Sequence, residues 1–239
     1  MSSAYNEFAD VCLKFYELTA ESERVASFVT TLLSPYEVKS VLFIGSFLHV
    51  AKALDNYSCT IVDYSDEMVA AAHTLLPDSN AQQGDIRALS FQNEFDAVLC
   101  IGRVFTHMFT DDDAHTALTS VAAAVRPGGV VLIDNYESDK IELTSYFNGT
   151  VRCEDESVSI LRNSSTRRIS DVPHLVEWHS AYRVRDKQSG QERSFDEQMP
   201  HRGFRRDELA NMTAQHGLRV LSQGDNFDET SFYTLMQKE

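Results

Sequence analysis

Asp63 stands 18 positions beyond Gly45, and each closes a short apolar run, Thr60 to Val62 and Val41 to Ile44. An acid where a second strand ends can accept hydrogen bonds from both hydroxyls of a ribose. A glycine where the first strand turns lets the backbone approach a ligand closely. Three further groups follow in order: Asp85-Ile86, then Cys100, Gly102, Arg103 and His107, then Asp134, Asn135 and Tyr136. His107 and Tyr136 are side chains that can guide or remove a proton, and Arg103 can meet a carboxylate.

These residues need elements to hold them, and the hydrophobic pattern supplies those. Residues 4 to 33 place Tyr5, Phe8, Val11, Cys12, Phe15, Tyr16 and Leu18, then Val25, Phe28, Val29 and Leu32, at helical spacing. Val41 to Ile44 is the continuous apolar run of a strand buried on both faces. The pattern then predicts a helix over 48–54, a strand over 60–62, a helix over 65–76, a strand over 95–101, a helix over 112–125 ended by Pro127-Gly128-Gly129, and a strand over 130–134. Ser65 suits an N-cap, with Asp66 and Glu67 in the first turn behind it. Alternating strands and helices imply a parallel sheet covered on both faces.

After residue 150 the period changes. SVSILRN, HLVEWHSAYRVRD and ERSFDEQM alternate as antiparallel strands do, with Ser189-Gly190 as a turn. A helix over 205–216 capped by Gly217 and a closing hairpin, LRVLSQ and SFYTLMQ, complete the chain. The expected fold is therefore α/β, a doubly wound and mainly parallel Rossmann-like sheet with an antiparallel insert over the mouth of its site. One domain spans 1–239: a helical cap over 4–34, a core over 38–135, the insert over 150–202 and a closing unit over 203–239.

The net charge of −15 argues against nucleic acid or an anionic membrane surface as the main partner, since phosphate binding needs a basic footprint. No apolar run approaches the roughly 18 residues of a membrane span, and the acidic start is unlike a signal peptide, so a cytoplasmic protein is expected. Cys12, Cys59, Cys100 and Cys153 lie far apart without CxxC pairing and read as free thiols. No metal site is expected. A small-molecule partner is, with the chain a monomer or homodimer.

Taken in order, the stretches VKSVLFIGSFLHVAKAL, CTIVDYSDEMVAAAH, QGDIRALSFQNEFDAVLCIG and VRPGGVVLIDNY resemble the class I S-adenosylmethionine (SAM) methyltransferases. The resemblance covers nearly the whole chain and is closest in look to small-molecule N-methyltransferases of the amino-sugar and glycine type. It implies a seven-stranded sheet and SAM as cofactor. The family's first turn usually reads acid-x-Gly-x-Gly-x-Gly. Here it reads Phe43-Ile44-Gly45-Ser46-Phe47-Leu48-His49, with one glycine of the three and no acid.

By resemblance, Tyr16, Gly45, Ser46, Phe47, Asp63, Tyr64, Met68, Asp85, Ile86, Cys100 and Gly102 border the cofactor. Arg103 and Arg202 are expected to hold the acceptor, and His107, Asn135, Tyr136 and Tyr182 to orient it or move its proton. Asp85 could also be a loop cap, and His107 a packed core histidine. The implied reaction is methyl transfer to a small polar acceptor, an amine above all. The altered glycine turn leaves two alternatives: an enzyme that consumes SAM without methylating, by cyclisation to azetidine-2-carboxylate and methylthioadenosine or by a lyase reaction, and a non-catalytic scaffold.

Overall fold

A computed structural model describes residues 8–226 and 228–239; Tyr5 lies outside them. The N-terminal periodicity resolves into two helices, α1 (Ala9–Thr19) and α2 (Ser22–Leu33), instead of one stretch. The break falls at Glu21, whose φ of 45° is left-handed and cannot continue a helix.

The central strands are β1 (Ser40–Ile44), β2 (Ser58–Asp63), β3 (Asn80–Gln83), β4 (Phe95–Cys100) and β5 (Val125–Tyr136). They are linked by α3 (Leu48–Ala53), α4 (Asp66–Leu75) and α5 (Asp111–Ala124). After the insert come α6 (Arg206–Ala214), β10 (Leu218–Asp225) and β11 (Ser231–Lys238). The sheet order is β10-β11-β5-β4-β1-β2-β3, and β11 runs antiparallel to both of its neighbours. β1 sits between β4 and β2, and the chain winds outward from it in both directions. Ligands bind outside the carboxyl ends of strands at such a reversal.

Side-chain alternation along the strands divides the core. Val41 and Phe43 face Val25, Val29 and Leu33 of α2 and Leu48 and Val50 of α3. Leu42 and Ile44 join Leu118 and Val121 of α5 and Leu209 of α6 on the other face. Each such fully buried side chain contributes roughly 1.5–3 kcal/mol of transfer free energy. α4 begins as expected, with Ser65 Oγ accepting from the Met68 backbone N–H at 3.2 Å.

Two boundaries differ from the sequence expectation. Pro127-Gly128-Gly129 lies within β5, because the strand starts at Val125 and bulges against β4, pairing Val125 with Phe95 and then Val130 with Ala97. β3 has no apolar run, since its residues are Asn-Ala-Gln-Gln and it is a short edge strand.

The insert is a four-stranded antiparallel sheet in the order β6 (Gly149–Glu154), β7 (Val158–Ser170), β8 (Leu175–Asp186) and β9 (Glu192–Arg202). Its inner face packs Ile160, Tyr182 and Phe195 on Val11, Cys12 and Phe15 of α1. Nearer the main sheet, Val176 and Trp178 pack with Tyr136, Ile141 and Phe147. The insert is rooted where Phe204 N–H donates to the Tyr136 carbonyl at 2.9 Å and Ser138 N–H to the Phe204 carbonyl at 3.0 Å. A Cβ on Gly203 would lie 2.7 Å from Ser138 Cα, so only glycine fits this crossing. Among the described residues no helix is long and apolar enough to cross a membrane.

Candidate active site

The strand ends of the main sheet and the inner face of the insert enclose two adjoining cavities. The larger, about 270 Å³, lies at the ends of β1, β2 and β3 between Ile44, Val62, Asp63, Asp85, Ile86 and Val104. The smaller, about 30 Å³, has room for a single water-sized group and is walled by Tyr16, Phe47, His107, Tyr136, Tyr146, Trp178 and His201. Ser46, Gly102 and His107 border both. Beyond the smaller cavity an outer cleft of about 430 Å³ shares Tyr16, Phe47, Arg103 and Tyr146 with it. The three spaces thus adjoin in series through shared walls.

Gly45 is held by its backbone. Its φ is +107°, and a Cβ there would meet Val104 Cγ2 at 2.5 Å. The two missing glycines do not open the turn, because Phe47 turns inward and is only 5% exposed. It meets Tyr16 edge-on at 5.7 Å and lies over Gly102, where a Cβ would stand 3.2 Å from its ring. Gly102, with φ +100°, is thus the second glycine of this mouth.

Asp63 is buried at the head of β2, and its Oδ1 accepts from the Ser65 N–H at 2.8 Å. Burial pushes its carboxyl up from 3.8 to about 6, against the pull of backbone N–H groups of Ser65 and Tyr64. Tyr64 stands exposed on the cavity rim. Asp85 caps the following turn through the Arg87 N–H at 2.9 Å and also lines the cavity. The Arg87 guanidinium holds its carboxyl below the ordinary value against desolvation. Cap and cavity wall are therefore one residue.

His107 is a wall residue of both cavities, and burial pushes its imidazole down to about 4. His201, at a ring distance of 5.5 Å, is pushed down to about 3 by burial and by His107. Both are neutral at pH 7 and act as hydrogen-bonding walls without charge. Arg103 has φ 64°, and its N–H donates to Asp134 Oδ1 at 2.7 Å. Its guanidinium pairs with Asp228 and lies 5.6 Å from the Tyr136 ring centre.

Five expected site residues are placed elsewhere. Arg202 is fully buried, and its Nη2 donates to Asp111 at 2.6 Å and Glu208 at 2.7 Å, so it ties the root of β9 to α5 and α6 instead of reaching the acceptor. Tyr182 stacks on Phe195 at 4.7 Å, with Phe15 edge-on to it, in the layer under α1. Met68 is fully buried in that same layer, and Cys100 belongs to the core under α5. Asn135 is fully buried, with neither amide atom partnered among the described residues, and does not stand among the cavity wall residues named above. Burial pushes the thiol of Cys100 well up and that of Cys12 to about 12, which leaves both inert.

Sequence reasoning missed Tyr146, Trp178, His201 and Arg162. Trp178 was accessible to it: Val176, Trp178, Ser180 and Tyr182 are the buried alternates of β8, so choosing the inward face at Tyr182 also chooses Trp178.

The cavity fits the cofactor that the sequence implies. The buried carboxylate of Asp63 faces a space whose apolar wall is Ile44, Val62, Ile86, Val104 and Met108, which suits a diol attached to a flat apolar base. The two positive-φ glycines give the backbone access that a third, extended portion needs.

Comparison with known proteins agrees with this geometry. Residues 45–129 match the family model described as a methyltransferase domain. A glycine/sarcosine N-methyltransferase of Parasynechococcus marenigrum (strain WH8102) is 28% identical over 144 residues, 56% of this chain, which spans about half of that relative's length (51%). A dTDP-3-amino-3,4,6-trideoxy-alpha-D-glucopyranose N,N-dimethyltransferase of Streptomyces venezuelae is 27% identical, over 74% of this chain and 73% of its own. Among solved structures, Streptomyces venezuelae DesVI aligns with a TM-score of 0.84 at 21% identity, covering 95% of this chain and 98% of its own. The SAM-bound amino pentose methyltransferase CalS10 of Micromonospora echinaspora aligns with a TM-score of 0.78 at 17% identity, over 100% of both chains. With its strand order and its acid at the end of β2, the chain has the fold of SAM-dependent methyltransferases, and residues 45–129 of its core are similar to a methyltransferase domain.

Proposed function

We propose that the protein transfers a methyl group from SAM to an amine on a small polar acceptor. The series of three adjoining spaces carries this reading. The cavity with Asp63 holds the adenosine, the aromatic cavity holds the reacting groups, and the outer cleft admits the acceptor. When bound, SAM supplies a methyl group on a positively charged sulfur. The relatives' names agree on the reacting group, since glycine, sarcosine and the amino sugars all present an amine.

The chain's own contribution is position and environment. Asp63 accepts the ribose hydroxyls, Ile86 and Val104 flank the base, and Gly45 and Gly102 let the backbone approach. Tyr16, Tyr136, Tyr146 and Trp178 wall the centre, and attraction of a cation to an aromatic face is worth roughly 0.5–2 kcal/mol. The small volume excludes bulk water and leaves donor and acceptor one approach. Holding reacting atoms roughly 3–3.5 Å apart supplies much of such a reaction's rate.

The test is mass spectrometry of the protein with SAM alone and with a pooled panel of amines, hydroxyls and carboxylates. S-adenosylhomocysteine should form only with the panel, together with a product heavier by one methyl group. Methylthioadenosine from SAM alone would overturn the reading.

A pH dependence follows from Asp63. Its folded carboxyl titrates near 6 against an ordinary 3.8, so the native state takes up the proton more readily than the unfolded chain. Above about pH 6 the ionised group costs stability, and that cost is relieved as pH falls through 6 toward 3.8. SAM needs the ionised form, so its affinity should be level above pH 6 and fall by at most about tenfold per unit below it. Calorimetric titration across this range should show that slope, and Asp63→Asn should abolish it.

A further inference from the structure

Arg162 on β7 is 1% exposed and unlike the other fully buried arginine. Arg202 has two carboxylates, whereas no carboxylate among the described residues pairs with Arg162. Its guanidinium carbon lies 4.3 Å from the ring centre of Tyr146 and 4.9 Å from those of Phe15 and Trp178. Nη2 donates to the Tyr146 carbonyl at 2.9 Å, and Nε has no acceptor among the described residues. A buried cation without a counter-charge is costly to keep.

The group placed to supply that counter-charge is the Tyr146 oxygen. Tyr146 lines both the small cavity and the outer cleft, and its ring centre lies 6.5 Å from that of Tyr136. The other groups around it are Arg103 after β4, neutral His107 and His201, Trp178 of β8 and Tyr16 of α1; among the described residues the small cavity has no acid in its wall, while the outer cleft is lined also by Glu21, Arg24, Asp228 and Glu229. Burial pushes the Tyr146 phenol up, but the charges of Arg162 and Arg103 outweigh it and hold the phenol below the ordinary tyrosine value. Tyr136, buried beside it, is pushed the other way and keeps its proton.

We propose that Tyr146 removes the proton from the acceptor's ammonium group, with Arg162 as the positioning residue whose charge stabilises the phenolate. The phenolate oxygen bonds the departing proton, and the electron pair of the broken N–H bond stays on nitrogen as the lone pair that attacks the methyl carbon, while the carbon–sulfur bond breaks and its pair stays on sulfur, leaving neutral S-adenosylhomocysteine. The phenol then returns its proton to solvent through the outer cleft. This assignment rests on the methyl-transfer reading above, but its first test is read on the protein alone.

The test is an ultraviolet titration of tyrosinate absorbance on the full chain without ligand. One tyrosine should ionise below the ordinary value of about 10. That step should vanish in Tyr146→Phe, move upward by about one pH unit or more in Arg162→Gln, and be largely kept in Arg162→Lys, which preserves the charge. Identical titrations of wild type and Tyr146→Phe would overturn the proposal. So would acetate that binds the wild type and not Arg162→Gln, which would assign Arg162 to an acceptor carboxylate. With the amine that the panel identifies, Tyr146→Phe should lose on the order of 100-fold in kcat while KM moves little. An empty panel would defeat the methyl-transfer reading and leave the titration result intact.

Discussion

Asp63→Asn is expected to weaken SAM binding by on the order of 100-fold while leaving the fold at least as stable. The carboxylate offers two acceptor oxygens at the head of β2, one of them already receiving the Ser65 N–H. Hydrogen bonds to a charged group are worth roughly 1.5–3 kcal/mol each, and the amide both removes the charge and turns one acceptor into a donor facing the ribose hydroxyls. Stability should not suffer, because burial already makes the ionised Asp63 unfavourable. Calorimetry for binding and thermal unfolding for the fold separate the two effects. An unchanged dissociation constant would place the ribose elsewhere.

Arg202→Met should have the largest effect on stability, a loss of about 3 kcal/mol. Removing one partner of a buried ion pair costs roughly 3–5 kcal/mol, and the lower end applies because Asp111 is 63% exposed and can return to water. Glu208 is only 25% exposed and would be left with its charge poorly solvated. At roughly 2–4 °C per kcal/mol for a domain of this size, the melting temperature should drop by about 6–12 °C. The same change in an Asp111→Asn, Glu208→Gln background should cost much less, since no charges are then stranded. A drop of only a degree or two in the single variant would show that the arginine carries no such tie.

Arg202 also shows where reading the chain stops. Its partners lie 91 and 6 positions away, so nothing local in HRGFRRDE distinguishes a structural cation from one that greets a substrate. Met68, Cys100 and Tyr182 failed for a related reason. Each lies near a site residue in sequence, but a one-residue change of facing decides between cavity and core. By contrast β1 and β4 were legible because burial on both faces demands unbroken apolar runs, and Asp63 because an acid can end such a run only where solvent or ligand begins. Tyr146 lies in the irregular segment between β5 and β6, where no period exists to aim a side chain. Resemblance to a family, not hydrophobic pattern, implied the full strand count, since Asn-Ala-Gln-Gln carries no strand signature of its own.

The root of the insert has a consequence for how such a protein changes over time. Gly203 crosses Ser138 too closely for a side chain, and the bonds of Phe204 to Tyr136 and Ser138 lock both ends of the excursion to one point of the sheet. Everything between those ends, including Trp178 and Arg162, enters and leaves the fold through that single junction. The strands that carry Gly45 and Asp63 lie on the other side of it. Selection can therefore exchange this excursion while the strands of Gly45 and Asp63 stay untouched, and an engineer can graft residues 139–201 as one cassette if Arg202, Gly203 and the junction bonds are kept.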